Sequence, residues 1–315
     1  MPLSLRASPK HGSLATFAGV LVVASIGLLD EAHADEPVLA RPPTLPELTH
    51  RYFEITHEST LAALQIADSS TALSRTVRVE RLALEVPIVA QRWYAGAGYD
   101  ALVTHTPNGA IRVVGGNPEI LGRGAWSASY GLSFGGGLAL VAPLTSFEGT
   151  ESRGLAAEAI AARGWERALW DPSSFTFRPF LDVRDVTGIF TLQYRQALEI
   201  ALDVRDVGTY RFSAIGTLYV GVALSPRVTV GAELIEYYRL DAGLDDVSRA
   251  YFAVGANVRI TTRYFQPTIG LMTNIGSPLN AIARIGAPLD SAPESFIGLR
   301  LGLTFVTATA SKDAD

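Results

Sequence analysis

The stretch from Thr209 to Leu240 constrains the fold more than any other part of the sequence. From Tyr210 to Leu224 every second residue is apolar or glycine, and the residues between them are polar, small or mixed. A pleated strand places such alternate residues on opposite faces. After a tight turn at Ser225-Pro226 the alternation resumes from Val228. At about 3.3 Å per residue these two strands run past roughly 40 Å, whereas an ordinary strand has about 5–6 residues. Long alternating strands joined by a very short turn are typical of a hairpin in a transmembrane β-barrel.

The composition excludes several classes of function. The chain has 315 residues and a formal net charge of -5, so no basic surface indicates nucleic acid as a partner. It contains no cysteine, which excludes disulfides, cysteine-zinc sites, thiolate nucleophiles and iron–sulfur clusters. We also expect no cofactor and no metal ion.

Residues 1–34 have the pattern of a signal peptide. Basic residues precede an apolar run from Leu14 to Leu29, and Ala32-His33-Ala34 fits a small-x-small cleavage site. The run is shorter than the about 20 residues that a spanning helix needs. We expect cleavage after Ala34 and export of the mature chain, with an uncleaved anchor as the alternative.

Residues 35–76 are the hardest part of the chain to interpret. The proline-rich stretch from Arg41 to Pro46 predicts a stiff extended segment, and Thr56–Ala67 is compatible with a short helix. We interpret the whole region as a periplasmic lead-in segment. His50 and His57 would be metal ligands only if both lay on one helix face, and we expect them to be surface histidines instead.

From Val77 to Val306 the period-two alternation recurs. It predicts an all-β fold, a closed antiparallel transmembrane β-barrel of about 10 strands (10–12), across residues 77–306, with a short C-terminal tail at 307–315. The predicted strands are residues 78–88, 92–103, 126–142, 175–184, 188–204, 208–224, 227–240, 249–260, 265–275 and 295–306. The connection between the second and third strands is long, so a barrel of twelve strands remains an alternative.

One segment between the predicted strands breaks this alternation. Within residues 144–174, Arg153–Leu169 has helical periodicity. Four placements remain open for this inserted helix: an external lid, an inward plug, a cap on the periplasmic side, or a solvated loop helix.

The last strand resembles the C-terminal signal of Gram-negative outer-membrane β-barrel proteins. Such signals combine alternating apolar residues, a glycine and a final aromatic residue, which here match Gly298, Leu299, Leu301, Gly302, Leu303 and Phe305. This sequence departs from the pattern because residues 306–315 follow the aromatic residue. The resemblance implies an outer-membrane location in the cell envelope, insertion by the outer-membrane assembly machinery, and contact with outer-membrane lipid and lipopolysaccharide. It also implies that both termini and the short turns lie on the periplasmic side.

The polar residues of the strands should face the interior, because each charge facing lipid would cost about 2–4 kcal/mol near the midplane. The candidate lumen-lining residues are Arg178, Asp182, Arg184, Arg195, Glu199, Arg211, Glu233, Arg239, Asn257, Arg259 and Arg300. Arginine outnumbers acid in this set, which predicts a porin-like protein, a narrow or gated pore or transporter for small solutes. Alternatively the same side chains fill the lumen of a non-conducting structural or surface-interaction barrel, because small barrels are filled by side chains.

Two further classes are less compatible with the sequence. An outer-membrane hydrolase would need a serine activated by a base such as histidine. After the predicted cleavage only His50, His57 and His105 remain, and none lies on a convincing strand. We therefore expect no enzyme and no catalytic residue. A soluble periplasmic β-barrel or sandwich would need polar outward faces on most strands, which the sequence does not supply.

Overall fold

The structure, a computed structural model, describes most of the chain after residue 52. The described residues are 53–66, 73–89, 92–105, 111–128, 131–145, 149–206, 208–240, 250–262, 264–275 and 293–307, with residues 43, 45, 48 and 50. The predicted signal peptide and residues 308–315 of the predicted tail lie outside them. Within these ranges, no helix has both the length and the apolar character needed to span a membrane.

Thirteen strands of the described chain form one antiparallel sheet. They are β1 (Glu54–Ile66), β2 (Leu73–Val89), β3 (Trp93–His105), β4 (Ile111–Gly115), β5 (Glu119–Ser127), β6 (Ser133–Val141), β7 (Ser174–Thr187), β8 (Phe190–Asp203), β9 (Tyr210–Ala223), β10 (Val228–Arg239), β11 (Ala250–Ile260), β12 (Phe265–Ile275) and β13 (Pro293–Val306). Because β1 pairs with both β2 and β13, the sheet closes into a barrel. Strand β4 pairs with β3 alone, so the closed ring has twelve strands and β4 lies outside it. The predicted closed antiparallel barrel is confirmed, at the upper end of the predicted range of strand numbers.

The alternation that predicted the barrel sets its two faces. On β9, Ser213 and Tyr219 are buried, whereas Phe212, Leu218 and Val220 are exposed. The exposed apolar residues of the other strands follow the same rule, and buried polar and charged side chains occupy the opposite face. The barrel therefore has an apolar outer wall, and its inner wall carries the buried polar and charged side chains, as expected for strands surrounded by lipid.

The barrel begins earlier than residue 77, so the predicted lead-in is wrong in its C-terminal half. The segment proposed as a short helix is strand β1, which pairs with β13 from Glu54–Val306 onward. Its alternation is hard to see because both faces carry polar residues: the charged Glu58 faces inward, and the polar His57 and Ser59 face outward. Neither face of β1 is purely apolar, which concealed the period of two.

The second missing strand is β5. The predicted strand 126–142 consists of the end of β5 and all of β6, separated by a turn at Gly131. Gly131 has φ of 83°, in the left-handed region that glycine adopts readily. The regular alternation on both sides of the turn made two strands look like one.

Between β6 and β7 the chain forms helix α1 (Gly149–Ala162) and a 3₁₀ helix (Gly164–Trp170), together called the insertion. Every residue from Leu155 to Trp170 is buried. The insertion packs with inward-facing apolar residues of β1, β2 and β3, among them Leu64 and Val79. It enters from the end opposite to the chain termini, because β6 ends and β7 begins there. Of the four placements left open, the structure shows the inward plug.

Candidate functional site

The first contact that holds the insertion inside the barrel is made by Arg163, directly after α1. Its Nη1 lies 2.9 Å from Oε1 of Glu58 on β1, and its Nε lies 2.5 Å from Oε2 of Glu166. Glu166 in turn lies 3.2 Å from Nη1 of Arg81 on β2. The insertion is thus joined to two neighbouring strands by a chain of alternating charges.

A second contact joins the insertion to the facing wall. Nη2 of Arg167 lies 2.5 Å from Oε1 of Glu199 on β8, and the other oxygen of Glu199 lies 3.1 Å from Nη2 of Arg178 on β7. The Arg167 guanidinium also lies 5.7 Å from the centre of the Tyr237 ring on β10. All three charged side chains are at least 87% buried, so the group is largely shielded from water.

The end of the insertion is held by Asn117, between β4 and β5. Its side-chain amide donates hydrogen bonds to the carbonyl oxygens of Ala168, at 3.1 Å, and Asp171, at 2.7 Å. Its backbone N–H donates to the carbonyl oxygen of Leu169 at 2.6 Å. A single asparagine therefore satisfies three carbonyl groups around the end of the 3₁₀ helix.

Asp171 adds a charged contact at the same place. Its Oδ2 lies 2.9 Å from Nη2 of Arg211 on β9, and its Oδ1 accepts hydrogen bonds from the hydroxyl and backbone N–H of Ser173. Burial alone would raise the pKa of Asp171. The Arg167 and Arg211 guanidiniums and the Ser173 hydrogen bonds outweigh burial and hold that pKa below its usual value.

Part of the predicted lead-in also lies inside the barrel, near the chain termini. Leu48 is fully buried, and its carbonyl oxygen accepts a hydrogen bond of 2.7 Å from Arg123. The backbone N–H of His50 donates to the Tyr94 hydroxyl at 2.8 Å, and its Nε2 lies 2.6 Å from Oε1 of Glu85. The expectation that His50 is a surface histidine is wrong, because the segment carrying it enters the barrel.

Between this segment and the insertion lies a cavity of about 140 Å³. Pro43 and Leu45 border it on one side, and Arg163 and Glu166 of the insertion also line it. Its charged lining residues are Glu54, Glu58, Arg81, Glu85, Glu119, Arg163, Glu166, Arg195, Arg259 and Arg300. Five glutamates thus balance five arginines.

The structure divides the eleven residues predicted from sequence into groups. All eleven are buried or half-buried. Three of them, Arg195, Arg259 and Arg300, line the cavity. Glu199, Arg178 and Arg211 belong to the contacts around the insertion described above. Asp182 forms a two-pronged ion pair with Arg195, with both N–O distances 2.7 Å.

The remaining predicted residues lie elsewhere on the inner wall. Glu233 on β10 pairs with Arg300 on β13, three strands away around the ring, at 3.1 Å. Arg184 and Asn257 are buried, and Arg239 is half-buried on β10.

The sequence interpretation missed most of the acidic partners. Glu54 and Glu58 lie on the missed strand β1, Glu119 on the missed strand β5, and Glu166 in the insertion. The predicted excess of arginine therefore does not extend to the cavity lining, where the two signs are equal in number. One signal in the sequence could have indicated inward-facing acidic residues on β1. Glu54 and Glu58 are four residues apart, and residues at that spacing share one face of a strand.

Within the part of the chain that the structure describes, no three potential metal-binding side chains lie together.

No protein-family model matches the sequence, and no curated protein matches it significantly. Solved structures do match. The COG4313 outer membrane channel from Pseudomonas putida F1 aligns with a TM-score of 0.58 and 12% identity, over 85% of this chain and 100% of that one. The NanC porin aligns with a TM-score of 0.50 and 10% identity, over 80% of this chain and 98% of that one. At these identities the likeness concerns the fold, and the chain has the fold of an outer-membrane β-barrel protein.

Proposed function

We propose that the protein is a narrow, gated outer-membrane pore for small solutes, and that the insertion is its gate. A barrel of about 8 strands is filled by its own side chains, whereas about 16–18 strands leave a water-filled channel. Twelve strands lie between these limits, so the state of the interior depends on what else occupies it. Here the insertion occupies it.

The observation that carries this proposal is how the insertion is held. It packs in one apolar cluster with residues of both walls, among them Leu64 on β1 and Tyr237 on β10, and ion pairs add to this packing on the far wall, through Arg167 to β8 and through Asp171 to β9. Buried ion pairs gain little net free energy relative to hydrated ions. The ion-paired part of this contact can therefore separate from the wall with a smaller loss of free energy than apolar packing of the same area would impose.

The same interior supports a second candidate function, a non-conducting structural or surface-interaction barrel. The insertion and the segment containing Leu48 and His50 both reduce the free cross-section. In that case the ion pairs would fix a permanently closed interior and would serve stability alone.

We further propose that the chain resides in the outer membrane, in contact with lipid and lipopolysaccharide, after removal of residues 1–34 and insertion by the assembly machinery. The apolar outer wall supports this location. Mass spectrometry of the protein from outer-membrane fractions tests it: the mature chain should begin at Asp35, and a chain that retains Met1 would contradict the cleavage. We propose no enzymatic activity.

Uptake of small solutes into liposomes containing the refolded mature chain tests the pore. Heat-modifiable migration on a gel would first establish that the barrel is folded. A gated pore should admit solutes slowly in the native chain and faster when Arg167 is replaced by glutamine. A folded barrel that admits no solute in either form would contradict the proposal and favour the non-conducting candidate.

A further inference from the structure

The cavity between the two inserted segments has the size of a small metabolite. Its volume is about 140 Å³. An apolar cavity of about 150 Å³ holds a benzene molecule. A solute of roughly six to ten non-hydrogen atoms therefore fits without movement of the wall.

The walls present both signs of charge in pairs. Glu58 lies between two arginines, 2.9 Å from Nη1 of Arg163 and 2.8 Å from Nε of Arg300. Glu119 likewise lies between Arg81, at 3.0 Å, and Arg178, at 3.1 Å. The lining is thus a network in which each of these carboxylates forms ion pairs with two guanidiniums.

Arg300 has donor capacity left over. Its Nη1 donates a hydrogen bond to Glu233. Its Nε lies 2.8 Å from Glu58 but, like the buried Nη2, has no hydrogen-bond partner among the described residues. A buried guanidinium nitrogen without an acceptor is costly, and such groups call for an explanation such as a bound ligand. Since Arg300 lines the cavity, a solute carboxylate there would supply the missing acceptor.

A solute that carried only a carboxylate would unbalance this network. Bound at Nη2 of Arg300, it would add a second negative charge beside the buried Glu58 with no positive charge to match it. A solute that carried an ammonium as well would supply that matching positive charge beside Glu58. The equal numbers of Arg and Glu around the cavity therefore favour a neutral solute with two opposite charges over an anion or a cation.

We propose that this cavity is a binding site for a small zwitterion, an amino-acid-like solute whose carboxylate meets Arg300 and whose ammonium meets Glu58. This inference rests on the proposed pore function, because it assigns the class of solute that the pore would admit. The site lies between the insertion and the segment near the termini, so a solute would pass it on the way through the barrel.

Three solutes of six non-hydrogen atoms each test the proposal: alanine as the zwitterion, lactate as the anion and glycerol as the uncharged control. Equilibrium dialysis of the labelled solutes against the purified, folded protein measures binding whether or not the pore opens. Alanine should bind about tenfold or more tightly than lactate or glycerol. Equal binding of all three, or stronger binding of lactate, would overturn the proposal.

Two charge-neutralising variants sharpen the result. Glu58→Gln should shift the preference from alanine toward lactate, and Arg300→Gln should shift it toward the cation 1-amino-2-propanol. A general loss of structure would not shift the solute preference in opposite directions in the two variants. Unchanged solute preferences in both variants would count against the contacts assigned to Glu58 and Arg300. Should either variant fail to migrate as a folded barrel, the relative binding of alanine, lactate and glycerol to the native chain still tests the proposal.

Uptake into liposomes separates this inference from the proposed function. Selective alanine binding without uptake of any solute, in the native chain and in Arg167→Gln, would support the site and contradict the pore. Uptake of all three solutes at equal rates without selective binding would support the pore and contradict the site.

Discussion

Nη2 of Arg167 lies 2.5 Å from Oε1 of Glu199, and this contact joins the insertion between β6 and β7 to the wall at β8. Both side chains are at least 99% buried. The pair therefore connects the element that fills the barrel to the barrel itself, across a region that a solute would cross.

Replacing Arg167 with glutamine should loosen the insertion. Removing one partner of a buried ion pair costs about 3–5 kcal/mol, and the loss here should lie near the lower end because Arg178 still faces Glu199. We expect a higher conductance in a planar bilayer and a lower midpoint of thermal unfolding. The matched control is Arg205→Gln, an exposed position between β8 and β9, which should leave both unchanged. Equal conductance of the two variants would show that Arg167 does not hold the gate.

Alanine substitutions at Gly164 and Gly154 should have opposite effects on the stability of the insertion. A Cβ at Gly164 would lie 2.8 Å from a carbon of the Tyr251 ring, whereas a Cβ at Gly154 would meet no atom within 4 Å. Gly164→Ala should therefore push the insertion away from β11. Gly154→Ala should be neutral or stabilise α1 by up to about 1 kcal/mol, because alanine favours helix more than glycine. Thermal unfolding of the folded barrels measures both, and a Gly164→Ala variant as stable as Gly154→Ala would contradict the packing at Tyr251.

Asn117→Ala should free the end of the 3₁₀ helix. The substitution removes two side-chain hydrogen bonds to carbonyl groups that would remain buried, which costs about 1–3 kcal/mol for each unsatisfied group. Trypsin should then cut after Arg163 and Arg167, which are buried in the native chain. Mass spectrometry of the fragments identifies those cuts. Identical protection of both arginines in the variant and the parent would mean that Asn117 is not an anchor.

The link between Asp171 and Arg211 should depend on pH only in acid. The pKa of Asp171 is held below its usual value, so the ionised carboxylate is favoured in the folded state. Its stabilising contribution is complete above the usual aspartate pKa of about 3.9 and is lost as the pH falls through the lower folded-state pKa. We expect the insertion to stay buried from pH 8 to pH 5 and to loosen below about pH 4.

Quenching of tryptophan fluorescence by acrylamide measures how far the insertion becomes exposed as the pH falls. In a background with Trp93→Phe and Trp126→Phe, Trp165 and Trp170 of the insertion are the remaining tryptophans. Asp171→Asn should raise quenching at neutral pH and flatten its rise in acid. Quenching that increases between pH 8 and pH 5 in the parent would point to a different titrating group.

The barrel could be predicted from sequence wherever one face of a strand is wholly apolar. Leu218 and Val220 alternate with buried residues on β9, and that pattern determines both strand and orientation. On β1 the same period of two is present, but inward Glu58 and outward His57 remove the contrast between the faces. The strand forms because its edges pair with β2 and β13, a long-range cause that local pattern does not reveal.

The interior was predictable only in part. Inward arginines such as Arg178 and Arg300 follow from alternation on single strands. Their partners Glu119 and Glu58 come from distant parts of the chain, and only closure of the ring brings them together. The role of Asn117 had no local signal, because the three hydrogen bonds that it donates depend on where the insertion ends.

Single-channel conductance after removal of the insertion tests the central claim most directly. The variant would replace residues 149–170 with a short glycine-serine linker, and heat-modifiable migration would establish that its barrel is folded. We predict discrete openings with a conductance several times that of the native chain, because the deleted residues fill the interior. A folded variant that conducts no better than the native chain would contradict the insertion as the gate.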